Sequence, residues 1–338
     1  MRVLLDGWPL VHAPHSPAAV HLWMAWEALQ QAGETVAVAW PAPPPPSWEA
    51  AAGEVLPHPA TPRGRLRWEQ RALARQAARW QADLLYGTAG LPLLSSISTL
   101  HAPAPEALRP RTSGWERLRL ALGAGGAARG ATLSSTTLPP PPHLSSPANL
   151  PLPRPLPEAF VLFHAPLSPA AWSQALEAWL RWAAGSIGGS TPLVVLGAPD
   201  ELAVAAPHEI ADTIVPYPAV APALLPAIYA RAVVLFHPVP AVPWGSPLRL
   251  ALAWGVPVVA CDEPVTAAIV GPTAYLAPCD ALRDLAAALV TVVVEDDVAD
   301  TLRESGQARA AAWGSAAFLR AVYRAAGAGS RWLFSVSP

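Results

Sequence analysis

The stretch from Arg231 to Asp262 constrains the fold more than any other part of the chain. An apolar run (Val233 to Phe236) leads into a proline-bearing loop (His237 to Gly245), a helix signal (Ser246 to Trp254) and a second apolar run (Val256 to Ala260). Two buried-type strands joined through a helix must run parallel, so this is a βαβ unit. Each helix end has a reason. Ser246 is a good N-cap, Pro247 has no N–H to leave unsatisfied at the first position, and Gly255 suits left-handed backbone just past the end. Ligands of parallel sheets sit at the carboxyl ends of the strands, so Val242 to Ser246 and the first helical turn form the expected ligand site. Exposed amides and the helix dipole there favour an anion, most often phosphate.

Other segments repeat the pattern. Strands are expected at Val3–Leu5, Val36–Trp40, Leu84–Tyr86, Ser98–Leu100 and Ala131–Ser135, with helices over Ala18–Ala32, Arg63–Asp83 and Trp115–Leu122, the last ended by the G-A-G-G run. A proline-rich stretch from Leu138 to Pro157 reads as a linker. Beyond it come strands at Phe160–Phe163, Leu193–Leu196 and Ile214–Val215, a helix capped by Ser168, another over Leu224–Ala232, and a helix from Ala281 to Val292 capped by Asp280. Two last helices cover Thr301–Trp313 and Ser315–Ala325. Arg67, Arg71, Arg75 and Arg79 stand at i, i+4 spacing, which reads first as a solvated helix face. The P-A-P-P-P-P run at Pro41–Pro46 is a stiff connector or a docking segment.

At 338 residues the chain suits two domains, and 52% hydrophobic against 14% charged content suits a packed α/β protein. A net charge of −2 makes no electrostatic case for nucleic acid. All 22 basic residues are arginine, so no lysine can serve as a Schiff base or a phosphate-binding point charge. Two cysteines, Cys261 and Cys279, are too few for a disulfide framework or a Cys-based zinc site, and a reduced cytoplasmic setting is the simple reading. No run reaches the length of a membrane-spanning helix. The 15 tryptophans would suit carbohydrate stacking or an interface, although Trp23, Trp26, Trp172 and Trp179 sit at core spacing.

The order strand, P-x-P loop, G-x-P, helix, G-V-P-V-V-A-C-D resembles the donor-binding core of GT-B glycosyltransferases of family 4, usually described as glycosyl transferase family 1 domain proteins. W-E-Q at Trp68–Gln70 matches a family helix, and the resemblance runs in order through nearly the whole chain. It implies an α/β fold of two Rossmann-like, doubly wound parallel-sheet domains facing a cleft. Residues 1–150 form the acceptor side, residues 151–325 the donor side with a last helix that crosses back, and residues 326–338 a tail. Departures from the family are specific. Its E-x7-E pair falls on Val242 and Leu250, its first-loop glycine near Pro17, its strand-end histidine on Tyr86, and the aspartate of its H-D pair on Ala102.

The resemblance implies a retaining hexosyltransferase that moves a sugar from a nucleotide-diphosphate donor to a glycan or lipid-linked acceptor, with no cofactor and no metal. His101, at a strand end, is the expected catalytic contact to the donor sugar, or else a satisfied structural histidine. The donor would lie against Gly245, Ser246, Pro247, Leu248, Arg249 and His164, with Arg249 either adding positive charge or facing solvent. Peripheral membrane contact fits a lipid-linked acceptor. The alternative is a catalytically silent GT-B pseudoenzyme that binds a partner glycosyltransferase, a glycan or a nucleotide.

Overall fold

The computed structural model describes residues 1–14, 16–45, 48, 51–88, 90–93, 95–102, 114–133, 138–142, 152–164, 175–198, 208–242, 244 and 246–327. The chain divides into two compact units, Met1–Pro140 with Gly314–Pro338, and Pro141–Trp313.

The first unit is built on a five-stranded parallel sheet: β1 (Arg2–Asp6), β2 (Thr35–Ala39), β3 (Leu84–Gly87), β4 (Ser98–His101) and β5 (Ala131–Thr132), in the order β2-β1-β3-β4-β5. Successive strand residues Val3, Leu4 and Leu5 are all buried, as they must be when both sheet faces are covered. The helix Pro17–Gln31 starts at Ser16, whose Oγ accepts from the Ala19 amide at 3.2 Å, so Pro17 opens a helix. Residues 62–79 are helical with a π-helical turn at Trp68–Ala72, the W-E-Q segment. Widening that turn lets the neighbours Trp68 and Glu69 both point inward, and each is fully buried. The four arginines at i, i+4 spacing are exposed, a solvated face. The C-terminal helix Ser315–Ala325 also belongs to this unit, with Phe318 buried edge-on to Tyr86 and Tyr323 hydrogen-bonded to Glu34 at 2.5 Å.

The G-A-G-G run does not end its helix, which continues from Gly114 to Arg129. Here glycine is a packing requirement. A Cβ on Gly123 would stand 2.9 Å from Gly90 Cα, and one on Gly126 would overlap the Leu91 carbonyl. Close backbone approach offsets the cost of helical glycine, which local propensity alone counts as a stop.

The second unit carries a six-stranded parallel sheet: β6 (Phe160–His164), β7 (Leu193–Leu196), β8 (Ile214–Tyr217), β9 (Ala232–His237), β10 (Val258–Asp262) and β11 (Tyr275–Pro278). Its order is β11-β10-β9-β6-β7-β8. All of Phe160 to Phe163 and Val234 to Phe236 are fully buried, so helices cover both faces. The core on one face gathers Phe163, Trp179, Val195, Phe236, Val259 and Leu289. Burying each such side chain contributes about 1.5–3 kcal/mol.

Further local features differ from the sequence reading, among them a helix over Asp296–Ala311 where Thr301–Trp313 is expected. The helix Leu282–Val294 begins after Ala281, and Asp280 does not cap it. Strand β11 was not anticipated, because Y-L-A-P is short and half-exposed, yet it pairs with β10 from Val259↔Tyr275 to Asp262↔Pro278. That register sets Cys261 opposite Ala277, and Cys261 and Cys279 are joined in a disulfide with Cα atoms 4.5 Å apart, where the composition suggested reduced thiols. Ser168 and the start of its helix lie outside the described residues, as does Trp172; the described part of that helix spans residues 175–187.

Candidate functional site

In the second sheet the chain runs outward from β6 through β7 to β8, then returns to the other side of β6 to lay down β9, β10 and β11. The reversal separates the loops that leave β6 and β9 and opens a crevice at their carboxyl ends. Leu162 pairs with Leu235, so His164 and His237, each two residues further along its strand, close the two central strands side by side.

The two histidines differ. His164 is 5% exposed and its Nδ1 is hydrogen-bonded to the Tyr229 hydroxyl at 2.8 Å. Tyr229 meets the Trp254 ring edge-on, and Trp254 Nε1 donates to the Pro142 carbonyl at 3.0 Å. His237 is 3% exposed, and neither ring nitrogen has a hydrogen-bond partner. Burial pushes its imidazole down to about 4, against the pull of the Glu263 carboxylate, so it is neutral at pH 7.

Ser246 precedes the helix Pro247–Ala253 with extended backbone, as an N-cap should. Its hydroxyl nevertheless accepts no capping hydrogen bond; Oγ is fully buried and without a partner. The expectation of a conventional cap is thus met by the backbone and not by the side chain. Pro247 and Leu248 are buried behind it, and Gly245 lies outside the described residues. Arg249 is not solvent-facing: it is 5% exposed, its guanidinium sits 4.8 Å from the Trp313 ring centroid, and burial lowers its pKa to about 10. Leu250, on the second glutamate position of the resembled family, is fully buried, and Val242 is partly exposed. Gly255 has φ +69°, the left-handed residue that ends the helix.

Two acids stand at the end of β10, the exposed Asp262 and, just past the strand, Glu263. Glu263 is fully occupied. Oε1 accepts from the Thr266 amide at 2.6 Å, the Thr266 hydroxyl at 2.7 Å and the Ala241 amide at 3.1 Å, while Oε2 accepts from Val265 at 3.0 Å. Burial opposes its ionisation, but these bonds hold its carboxyl below the usual range. It therefore caps the helix Pro264–Val270 and pins the loop that follows β9.

The second unit thus brings His164 and Ser246–Arg249 to one sheet edge. His101 lies in the first unit, half-buried at the end of β4, in register with Gly87 of β3 and Thr132 of β5. Sequence reasoning missed His237 and Glu263. The signal for the first was its place at the end of an apolar strand; for the second it was E-P-x-T, an acid before a first-turn proline. Among the described residues no group of three or more His, Cys, Asp or Glu could hold a metal ion. No described helix is long and apolar enough to cross a membrane.

No protein-family model matches the chain, and no curated protein matches it. Solved structures do. Sucrose-phosphate synthase from Thermosynechococcus elongatus is 18% identical with a TM-score of 0.59, covering 100% of both chains. WaaG, a glycosyltransferase involved in lipopolysaccharide biosynthesis, is 13% identical with a TM-score of 0.62, over 96% of this chain and 98% of its own. HepE from Anabaena, in complex with UDP and glucose, is 13% identical with a TM-score of 0.56 over the same shares. Likeness at these identities speaks for architecture alone, and the architecture this chain shares with them is the GT-B fold, two parallel-sheet α/β units in one polypeptide.

Proposed function

We propose that this chain is a glycosyltransferase that takes a hexose from a nucleotide-diphosphate donor and passes it, with retention, to a glycan or lipid-linked acceptor. The observation that carries the reading is the edge of β6 and β9. It offers a buried hydroxyl on Ser246 and two imidazole nitrogens on His237 with no partner, beside a helix start, and its nearby acid Glu263 is already committed. Unpaired buried groups are costly unless a ligand completes them. A diphosphate would do so.

In this reading the diphosphate lies along Gly245 to Leu248, with His164 fixed by Tyr229 on one side and the Arg249 charge one turn behind. As the glycosidic bond breaks, negative charge grows on the leaving phosphate, and hydrogen bonds aimed there lower the barrier. An anion beside His237 favours its protonated form, so donor binding draws a proton onto the ring. His101 of the first unit is the residue we assign to the donor sugar. Neighbours of this fold support the donor class, HepE having been solved with UDP and glucose. A cytoplasmic setting and peripheral contact with a membrane-borne acceptor belong to the same proposal.

The test is a thermal-shift screen against UDP, GDP, ADP and their sugar conjugates. Ligand at about 100 times its dissociation constant adds roughly 2.7 kcal/mol, a shift of a few degrees. Ser246→Ala should melt no lower than the parent, since it removes an unsatisfied hydroxyl, yet show a smaller nucleotide shift. No shift with any nucleotide, or an undiminished shift in Ser246→Ala, sinks the assignment. Release of free nucleotide from the sugar conjugate that binds then separates a working transferase from a silent one.

A further inference from the structure

The sheet of the second unit ends on a covalent bond. Strand β11 lies at the edge and pairs on one side only, with β10, from Val259↔Tyr275 to Asp262↔Pro278. Tyr275 and Pro278 are exposed, and Pro278 brings no N–H to the ladder. A short, half-exposed edge strand is weakly held by its own contacts. Directly after it, Cys279 closes a disulfide back to Cys261, across 18 residues. The bond locks the βαβ unit made of β10, the helix Pro264–Val270 and β11. That helix has a further hold in Arg309, whose Nε donates to the Ile269 carbonyl at 2.6 Å and whose guanidinium also reaches the Ala268 carbonyl at 2.7 Å. The disulfide does for the strand what Arg309 does for the helix.

The two sulfurs sit in different surroundings. Cys261 is fully buried in the core with Phe236, Val259, Ala277 and Leu285, whereas Cys279 is half-buried, its Sγ 3.6 Å from the Asp262 carbonyl. An external thiolate reaches Cys279, not Cys261. The reduced pair also fits the fold: a Cys261 thiol packs as a small apolar group, and a Cys279 thiol can donate to the Asp262 carbonyl. Opening the bond leaves neither a buried charge nor a void. We infer that Cys261–Cys279 is a thiol–disulfide exchange site for a dithiol reductant and a redox-controlled clamp on the edge strand. A thiolate of the dithiol attacks Cys279 Sγ and breaks the S–S bond, and Cys261 leaves and takes up a proton. The second thiol of the reductant then attacks the mixed disulfide; Cys279 is released as a thiol, and the dithiol, having given two electrons, becomes a disulfide. Reduction frees residues 275–281 and, through the end of β10, loosens Glu263, which pins the loop after β9 by the Ala241 amide. Only the meaning of that loop for a nucleotide rests on the transferase reading.

Native reduction of the full chain tests this. After incubation with oxidised glutathione, the protein is treated with dithiothreitol in the absence of denaturant, and its thiols are counted by alkylation and mass spectrometry. The rate should rise in proportion to dithiothreitol, because the attack is on the folded protein; a bond reached only through unfolding gives a rate that levels off. Reduction should lower the melting temperature by roughly 5–10 °C. It should also speed amide hydrogen exchange in residues 275–281 and at Ala241. The double variant Cys261→Ala, Cys279→Ala should match the reduced parent and ignore dithiothreitol. In Cys261→Ala alone the remaining thiol should react with an aromatic disulfide reagent in the folded state, and in Cys279→Ala it should not. Two thiols that persist after oxidised glutathione, a rate that levels off, or unchanged exchange at either segment overturns the inference. A missing nucleotide shift in both redox forms would overturn the donor assignment and leave the exchange site standing.

Discussion

The two sheets make the same topological turn and furnish it with opposite chemistry. At β1 and β3 the edge holds two buried acids, Asp6 and Glu69, with Arg119 and Arg65 gathered on the second. At β6 and β9 it holds two buried histidines and a serine, and of the two acids at the end of β10, Asp262 is exposed and Glu263 is used up as a cap. Burial acts on both edges with opposite sign. It pushes Asp6 up to about 6 and His237 down to about 4, in each case disfavouring the charged form. A fold repeated twice thus carries buried acids at one edge and buried imidazoles with a serine hydroxyl at the other.

The largest test of this contrast is Glu69→Ala. Removing the carboxylate breaks its buried bonds to Arg119, Arg65 and the Gly90 amide together, although Arg119 keeps Glu116, so the chain should lose about 3–5 kcal/mol in denaturant unfolding. A loss under about 1 kcal/mol would mean that the first edge is not an ionic cluster in solution.

The pH dependence comes next, and the two edges should pull against each other. An unfolded chain releases the Asp6 proton near 3.8 while the folded one holds it to about 6, so the folded state binds more protons in that window and stability falls as pH rises. For His237 the unfolded chain takes a proton near 6.5 and the folded one only near 4, so its contribution is present above 6.5 and lost as pH falls towards 4. Each amounts to about 3 kcal/mol at most, and they largely cancel between pH 4 and 6. Asp6→Asn should leave a stability that climbs with pH across the window, and His237→Phe one that declines. Identical profiles for both variants would remove the contrast.

The smallest effect sharpens it. Glu263→Ala should cost about 1 kcal/mol, the worth of a helix cap, far below Glu69→Ala. A cost matching that of Glu69→Ala would make the second edge as ionic as the first.

What the sequence determined by itself was local and periodic: the βαβ order from β9 to β10, helix ends at Pro247 and Gly255, the solvated arginine face, and from these the parallel α/β class. Such features rest on neighbours within a few turns, which a single chain displays directly. Tertiary structure alone decided the rest. Glu69 meets Arg119 from 50 residues away, a π turn faces Trp68 and Glu69 inward together, and Gly90 lets the helix run through Gly123. Arg249 is drawn off the surface onto Trp313, and the Ser246 hydroxyl is left unpaired where a cap was expected. Hydrogen-bond satisfaction and burial are settled by what packs against a side chain, and those partners come from distant strands that no local pattern names.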